Sequence, residues 1–156
     1  MMTGEFKITL DEKFRLMLPV QFRKELNEPS IYLMKGRNKC LWIFSIAKWE
    51  EKFGNAIAEN TDLFSAMDLR NIRKYIGSSQ LVEFDKAGRI LIPETLRSYA
   101  DITRDCVVSG LSEFCEIWDS KLHDEYIDED DEDNKKEFDA ASEEISQIIK
   151  RKKGII

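Results

Sequence analysis

Phe6 to Leu10 alternates apolar and polar residues, the period of a strand with one buried face. The turn Asp11 to Phe14 separates it from a second strand, Arg15 to Leu18, which Pro19 stops, so the pair predicts a hairpin. Val20 to Leu26 follows with apolar residues at helical spacing, 22 and 26, behind a proline suited to the first helical turn. Ile31 to Met34 predicts a third strand and Lys35-Gly36-Arg37-Asn38 a turn. Cys40 to Phe44 predicts a fourth strand, too apolar for an edge facing water, and a helix carrying Trp49 and Phe53 comes next. Asp62 to Ile76, apolar at 63, 64, 67, 72, 75 and 76, reads as an amphipathic helix.

The same order then recurs. Strands are predicted at Gln80 to Asp85, Arg89 to Ile92, Cys106 to Ser109 and Phe114 to Trp118, with helices at Pro93 to Ala100 and near Lys121 to Ile127. At an offset of 74, Asp11-Glu12-Lys13-Phe14-Arg15-Leu16-Met17-Leu18-Pro19 aligns with Asp85-Lys86-Ala87-Gly88-Arg89-Ile90-Leu91-Ile92-Pro93, sharing D-x-x-x-R, three apolar residues and proline. Phe22-Arg23 meets Leu96-Arg97, Lys35-Gly36 meets Ser109-Gly110, and Ile43-Phe44 meets Ile117-Trp118, all expected in one ungapped register. Each copy reads as ββαββα. A half of about 50 residues buries too little surface to stand comfortably alone. The fold expected is therefore α+β, a pseudo-twofold β-barrel with flanking helices, its hairpins interleaved and both D-x-x-x-R turns at one end. The divisions expected are a first repeat over 1–60, a linker helix over 61–78, a second repeat over 79–127, and an acidic linker with a C-terminal amphipathic helix over 128–156.

Charge modifies this picture. The 156 residues carry 24 Lys+Arg against 30 Asp+Glu, a net charge of −6. The surplus is uneven: Met1 to Ser78 is +3, Ser79 to Ile127 is −5 and the remainder is −4. Because salt screens fields beyond roughly 8–10 Å, a basic N-terminal lobe remains able to face a polyanion. No apolar run approaches the roughly 20 residues that cross a bilayer, and no secretory signal is apparent. Three cysteines without a C-x-x-C pair fit reduced thiols in cytoplasm acting as small core hydrophobes. The single histidine, His123, aligns with Trp49 and reads as a surface replacement. With no phosphate-binding glycine loop, Ser–His or Cys–His pair, or metal-ligand spacing, neither an enzyme nor a cofactor, metal or small-molecule substrate is expected.

The two D-x-x-x-R…P segments resemble the tandem signatures of the MraZ family, a bacterial branch of the AbrB/SpoVT swapped-hairpin superfamily. Met2 to Glu5, Lys35-Gly36 before the Cys40-Leu41 strand, Trp49-Glu50 and Glu116-Ile117-Trp118 are similar too, so the resemblance covers roughly Met1 to Tyr126. It implies tandem AbrB/SpoVT-type repeats. It implies a cytoplasmic, nucleoid-associated transcriptional regulator that binds short direct repeats in double-stranded DNA upstream of its own division and cell-wall gene cluster. It also implies a homo-oligomeric ring. On this resemblance the loops that face DNA carry Asp11 with Arg15 and Asp85 with Arg89. The first motif departs from the family pattern, having Phe14 where glycine usually precedes the arginine; Gly88 keeps it.

The residues themselves admit two readings. Arg15 and Arg89 have the planar fork that clamps a phosphate or a guanine edge, with Asp11 and Asp85 four residues earlier to orient it. The same pairs also read as hairpin-stabilising ion pairs. Lys13 and Lys86 follow as turn-tip charges; Lys7, Arg23 and Lys24 are weaker phosphate contacts or solvated faces. Phe14 either stacks on DNA or packs on its own hairpin or a neighbouring subunit. Trp42, Trp49 and Trp118 read as core or interface packing. The acidic run Asp128 to Asp133 reads as a self-repelling linker. The stripe Phe138, Ala141, Ile145, Ile148 and Ile149 predicts a helix that docks on a neighbour or stays detached, and Lys150 to Lys153 suits a helix C-terminus. An AbrB-like antitoxin using its C-terminal segment on a toxin, and a structural assembly protein with an acidic tail, are the alternative functions.

Overall fold

A computed structural model describes residues 1–127 and, beyond them, positions 132, 136, 140, 143, 145, 146 and 149. Two compact units divide the chain, Met1–Ser120 and Lys121–Ile156. The first repeat supplies β1 (Glu5–Thr9), β2 (Arg15–Met17), α1 (Val20–Leu26), β3 (Ser30–Lys35) and β4 (Leu41–Phe44). The segment between the repeats holds α2 (Ile46–Trp49), α3 (Asn55–Asn60) and α4 (Ala66–Asn71), with π-helical turns at Glu50–Gly54 and Ile72–Ile76. The second repeat supplies β5 (Gln80–Glu83), β6 (Arg89–Leu91), α5 (Glu94–Tyr99), β7 (Asp105–Gly110) and β8 (Cys115–Asp119), and α6 (Ser120–Tyr126) follows.

The fold is α+β, and its strands are exchanged between the repeats. A six-stranded antiparallel sheet runs β1-β7-β8-β4-β3-β5, and β2 pairs with β6 alone. Thus β1 of the first copy lies on β7 of the second, while β5 of the second lies on β3 of the first. The pseudo-twofold passes through Leu16↔Ile90 in one sheet and Trp42↔Glu116 in the other, since both pairs are separated by the repeat offset of 74. The core between the sheets repeats the same symmetry. Leu16 and Ile90, Leu18 and Ile92, Phe22 and Leu96, and Ile43 and Ile117 are all buried. Neither half has this core by itself, which is why duplication and interleaving go together.

Pro19 and Pro93 precede α1 and α5, and Asn27, left-handed at φ 43°, ends α1. The linker helix expected over 62–76 starts late, at Ala66. The Asp62 carboxylate turns the chain by accepting from Phe64 N–H (2.9 Å), and Ser65 Oγ then caps the helix by accepting from Asp68 N–H (3.1 Å). The ungapped register needs correcting. Lys35 corresponds to Gly110, not Ser109, because β7 stands 75 positions after β3. One residue is inserted before β7 relative to the first copy, and α5 ends one position earlier than α1, so the connection spans five residues, 100–104, against three, 27–29. The β7–β8 hairpin is one shorter than the β3–β4 hairpin, and β8 returns to the offset of 74.

The aromatic residues cluster on the sheet and under the linker helices. Tyr32 stacks on Trp49 at 4.1 Å and Phe44 on Phe114 at 4.7 Å. Trp42 and Trp118 donate their indole N–H groups to the Glu116 carboxylate (2.7 and 3.0 Å). Cys40, Cys106 and Cys115 are free and buried; burial pushes the Cys106 thiol up to about 12 and raises the other two. His123, expected at the surface, is instead buried, 5% exposed, at the helix position equivalent to the half-buried Trp49. Of the C-terminal features, Glu132, Ile145 and Ile149 are helical, and the two isoleucines are exposed. The rest of the acidic run, Phe138, Ala141, Ile148 and Lys150 to Lys153 lie outside the described residues. Among the described residues no helix is long and apolar enough to cross a membrane.

Candidate nucleic-acid interface

The β1–β2 and β5–β6 connections fold by one local rule. In the first, Phe14 N–H donates to Asp11 C=O (3.0 Å) and Asp11 N–H to Arg15 C=O (3.0 Å). In the second, Gly88 N–H donates to Asp85 C=O (2.9 Å) and Asp85 N–H to Arg89 C=O (2.8 Å). The aspartate side chain fills each turn. Asp11 Oδ1 accepts from Lys13 N–H and Arg15 N–H, both 2.9 Å, and Asp85 Oδ1 from Ala87 N–H and Arg89 N–H, both 2.9 Å. The remaining oxygen orients the arginine: Arg15 Nε donates to Asp11 Oδ2 (2.7 Å) and Arg89 Nε to Asp85 Oδ2 (2.8 Å). The hydrogen bonds from the backbone N–H groups of Arg15 and Arg89 are the main cause holding both aspartates below the ordinary carboxylate range. The D-x-x-x-R spacing is what this turn requires, because the carboxylate must reach both the tip amides and the arginine that leaves the turn.

The paired strands β2 and β6 bring the two turns together. Arg15 Nη1 stands 3.9 Å from Asp85 Oδ2, and Arg89 Nη1 stands 3.6 Å from Asp11 Oδ2. The four charges form an alternating ring across the pseudo-twofold, about a third exposed. Splitting the charge by sequence halves therefore misleads: the second loop does not belong to a separate acidic lobe but shares one patch with the first. Within the ring the charges cancel. Lys13 on the first tip is matched by its neighbour Glu12, so the surplus positive charge comes from Lys86 on the second tip and from two further arginines.

Those two are Arg23 and Arg97, equivalent by the repeat. Arg23 Nε donates to Leu18 C=O (3.2 Å), and its guanidinium lies against the opposite turn, where a β-carbon on Gly88 would meet Nη1 at 2.0 Å. Arg97 Nε donates to Ile92 C=O (2.9 Å), and its guanidinium lies over the Phe14 ring, 3.6 Å from the centroid. Each helix thus lays an arginine over the other copy's turn. Sequence reasoning assigned Arg23 to the weaker set and missed Arg97, although the repeat itself aligns the two. Phe14 adopts φ 62°, matching Gly88 at 86°. The first turn shares the left-handed shape of the second, and the cation–π contact, about 0.5–2 kcal/mol, offsets part of the strain of about 1–2 kcal/mol.

Lys7, Arg23 and Lys24 also come together. With Glu5, Ile8, Met17 and Val20 they line an open groove of about 950 Å³ built from the first repeat's β1, β2 and α1. At the equivalent second-copy positions stand Leu81, Arg97 and Ser98, so this basic groove has no full counterpart. Among the described residues no group of acidic, histidine or cysteine side chains is arranged to hold a metal ion.

A family model described as "MraZ protein, putative antitoxin-like" matches residues 1–71 and again 76–145. The chain belongs to the MraZ family. It is 42% identical over 147 residues to a transcriptional regulator MraZ of Treponema denticola, a match covering 94% of this chain and 99% of that protein. It is 37% identical over 146 residues to the transcriptional regulator MraZ of Treponema pallidum, in the Nichols strain and equally in a second strain, covering 94% of this chain and 95% of theirs. The double match of the MraZ model fits the internal duplication, and each match contains one D-x-x-x-R turn.

Proposed function

We propose that this chain is a sequence-specific, non-enzymatic regulator that reads double-stranded DNA with the two D-x-x-x-R turns. It acts in the cytoplasm, on the nucleoid, as a ring of subunits seated on direct repeats upstream of its own gene in a division and cell-wall cluster. The observation that carries this reading is the convergence of Arg15, Arg89, Arg23 and Arg97 around the paired β2 and β6 turns, with Lys13 and Lys86 on the tips. The name of its relatives, transcriptional regulator, supports the reading.

The chemistry follows from the pinning. Each reading arginine is held through Nε by its own aspartate, so the fork is oriented before a ligand arrives and less side-chain entropy is lost on binding. Among the contacts described, Nη2 of Arg15 and Arg89 carries none, which leaves donors for phosphate oxygens or the acceptors of a guanine edge. One subunit presents few such contacts. Several subunits on several repeats multiply the affinity through effective concentration, by roughly 10²- to 10⁴-fold.

The test is retardation of a fragment from the gene's own upstream region, with affinity falling steeply as salt rises. Arg15→Ala is expected to remove the shift while sizing shows the assembly unchanged. A shift that survives both Arg15→Ala and Arg89→Ala returns the pairs to a purely structural role.

A further inference from the structure

The hairpin between β3 and β4 carries three cations in five residues, Lys35-Gly36-Arg37-Asn38-Lys39, and a fourth, Lys74, comes to it from the π-helical turn Ile72–Ile76. Hydrogen bonds hold these segments together. Lys35 N–H donates to Ser78 Oγ (3.0 Å), and Ser78 Oγ donates to Tyr75 C=O (3.1 Å). Tyr99 of α5 donates its hydroxyl to Gly36 C=O (2.6 Å). The Tyr99 ring then receives two ammonium groups, Lys35 Nζ at 5.1 Å and Lys74 Nζ at 5.7 Å from its centroid. Lys39 has a carboxylate partner, the exposed Asp101 at 3.8 Å; among the described residues Lys35, Arg37 and Lys74 have none. Glu116, beside Cys40 at the base of the hairpin, gives its carboxylate to the indoles of Trp42 and Trp118. Cation–π packing accounts for one ammonium on a tyrosine ring. It does not account for two like charges on one ring in a chain whose net charge is −6.

We propose that this cluster is a second nucleic-acid site, which holds the phosphate backbone of a duplex segment other than the one read by the D-x-x-x-R turns. This rests on the DNA-reading function above and extends it. The strand register supplies the separation. Ser30 pairs with Glu83 and Leu33 with Gln80, so β5 leads into the Asp85 turn at one end and lies beside the start of the Lys35 hairpin at the other. At about 3.3 Å per residue, roughly 20 Å of strand stands between the two. A duplex seated on the turns leaves the cluster open to a different stretch of backbone. The side chains suit that task. Lysine ammoniums are point charges that meet phosphate without reading a base edge, and the Arg37 fork at the exposed tip matches two phosphate oxygens. The second copy does not repeat the cluster, because Gly110 and Glu25 stand where Lys35 and Tyr99 would be. Each subunit therefore has one such site, and a subunit fixed on its element holds a second segment by wrapping or bridging.

The test loads the full-length protein onto beads carrying its upstream fragment and measures capture of a labelled random duplex, with retardation of the upstream fragment run in parallel. Wild type is expected to capture the second duplex. Lys35→Gln combined with Lys74→Gln keeps both stems and removes both charges. It is expected to lose about tenfold in capture and about 2 in the salt slope of capture, while retaining the upstream fragment within about twofold of wild type. Arg37→Gln, on the exposed tip, is a second variant expected to lose about threefold in capture, and Lys35→Arg combined with Lys74→Arg is expected to keep it. Melting curves check folding. No capture by wild type, or equal capture by wild type and both glutamine variants, overturns the second site and leaves reading by the turns intact. Release of the captured duplex by polyglutamate at a lower charge concentration than by unlabelled duplex also overturns it, assigning the cluster to acidic protein segments. Failure of wild type to retain the upstream fragment overturns reading by the turns instead. The cluster is then judged by random duplex bound to bead-coupled protein with and without the lysine changes.

Discussion

Arg89 belongs to the second repeat, yet its Nη1 lies 3.6 Å from the carboxylate of Asp11 in the first. That carboxylate already accepts from Lys13 N–H, Arg15 N–H and Arg15 Nε. The two turns are therefore one electrostatic unit, joined across the pseudo-twofold by groups 78 positions apart. A double-mutant cycle tests the coupling. Asp11→Asn and Arg89→Gln are expected to lower the melting temperature by less in combination than the sum of the single changes. Additive losses would mean that the cross-loop contact contributes nothing. Asp11→Asn alone removes a negative charge from the face and releases the Arg15 fork. Binding to random duplex should rise while the ratio of specific to random binding falls.

The depressed aspartates set a pH dependence. Asp11 and Asp85 bind protons less readily in the folded protein than in the unfolded chain, because Arg15 and Arg89 donate to the ionised form. Their contribution to stability is complete above the unfolded-state value of about 4 and is lost as pH falls through the folded-state values below it. Glu113, lowered by its bonds to Lys52 and Lys48, acts in the same sense. Between about pH 5 and pH 2.5 the melting temperature should fall more steeply for wild type than for an Asp11→Asn, Asp85→Asn double variant. Equal slopes for the two proteins would contradict this account.

Substitutions at the two equivalent turn positions should have unequal effects. Gly88→Ala places a side chain at φ 86° and a β-carbon 2.0 Å from Arg23 Nη1. The arginine end can move, so the left-handed backbone dominates the cost, about 1–2 kcal/mol. Phe14→Gly relieves that strain and loses the contact with Arg97, leaving stability within about 1 kcal/mol of wild type. Urea denaturation of both variants checks the contrast. Equal destabilisation would show that the two turns do not share a conformation.

Much of this was legible from the chain because the repeat is itself physical information. Matching Asp11 and Arg15 with Asp85 and Arg89 requires matching turns, and a half too small to hold a core requires a shared one. Pro19 and the apolar pair Phe22 and Leu26 fix the bounds of helix α1 locally. The one-residue shift between β3 and β7 was not legible. Its two length changes compensate, so residues on either side remain in register, and only strand pairing reveals them. The shape of the first turn was hidden too. Phenylalanine argues against a left-handed residue until the guanidinium above it, 83 positions later in the chain, is known. The cross-loop ion pairs and the paired cover by Arg23 and Arg97 are tertiary contacts with no local trace.

The basic groove separates affinity from recognition. Lys7 and Lys24 are exposed on its walls, beside the half-buried Arg23, and none of the second copy's residues repeats the two lysines. A lysine ammonium is a point charge without the planar fork that distinguishes a base edge, so its natural partner is a phosphate. Lys7→Ala and Lys24→Ala should each weaken binding to all duplexes by a similar factor and reduce the slope of log affinity against log salt by about 1. The order of preference among sequences should not change. Arg15→Ala should do the opposite, abolishing discrimination between the preferred element and random DNA. A lysine substitution that alters the ranking of sequences, with the salt slope unmoved, would place that side chain on a base edge instead.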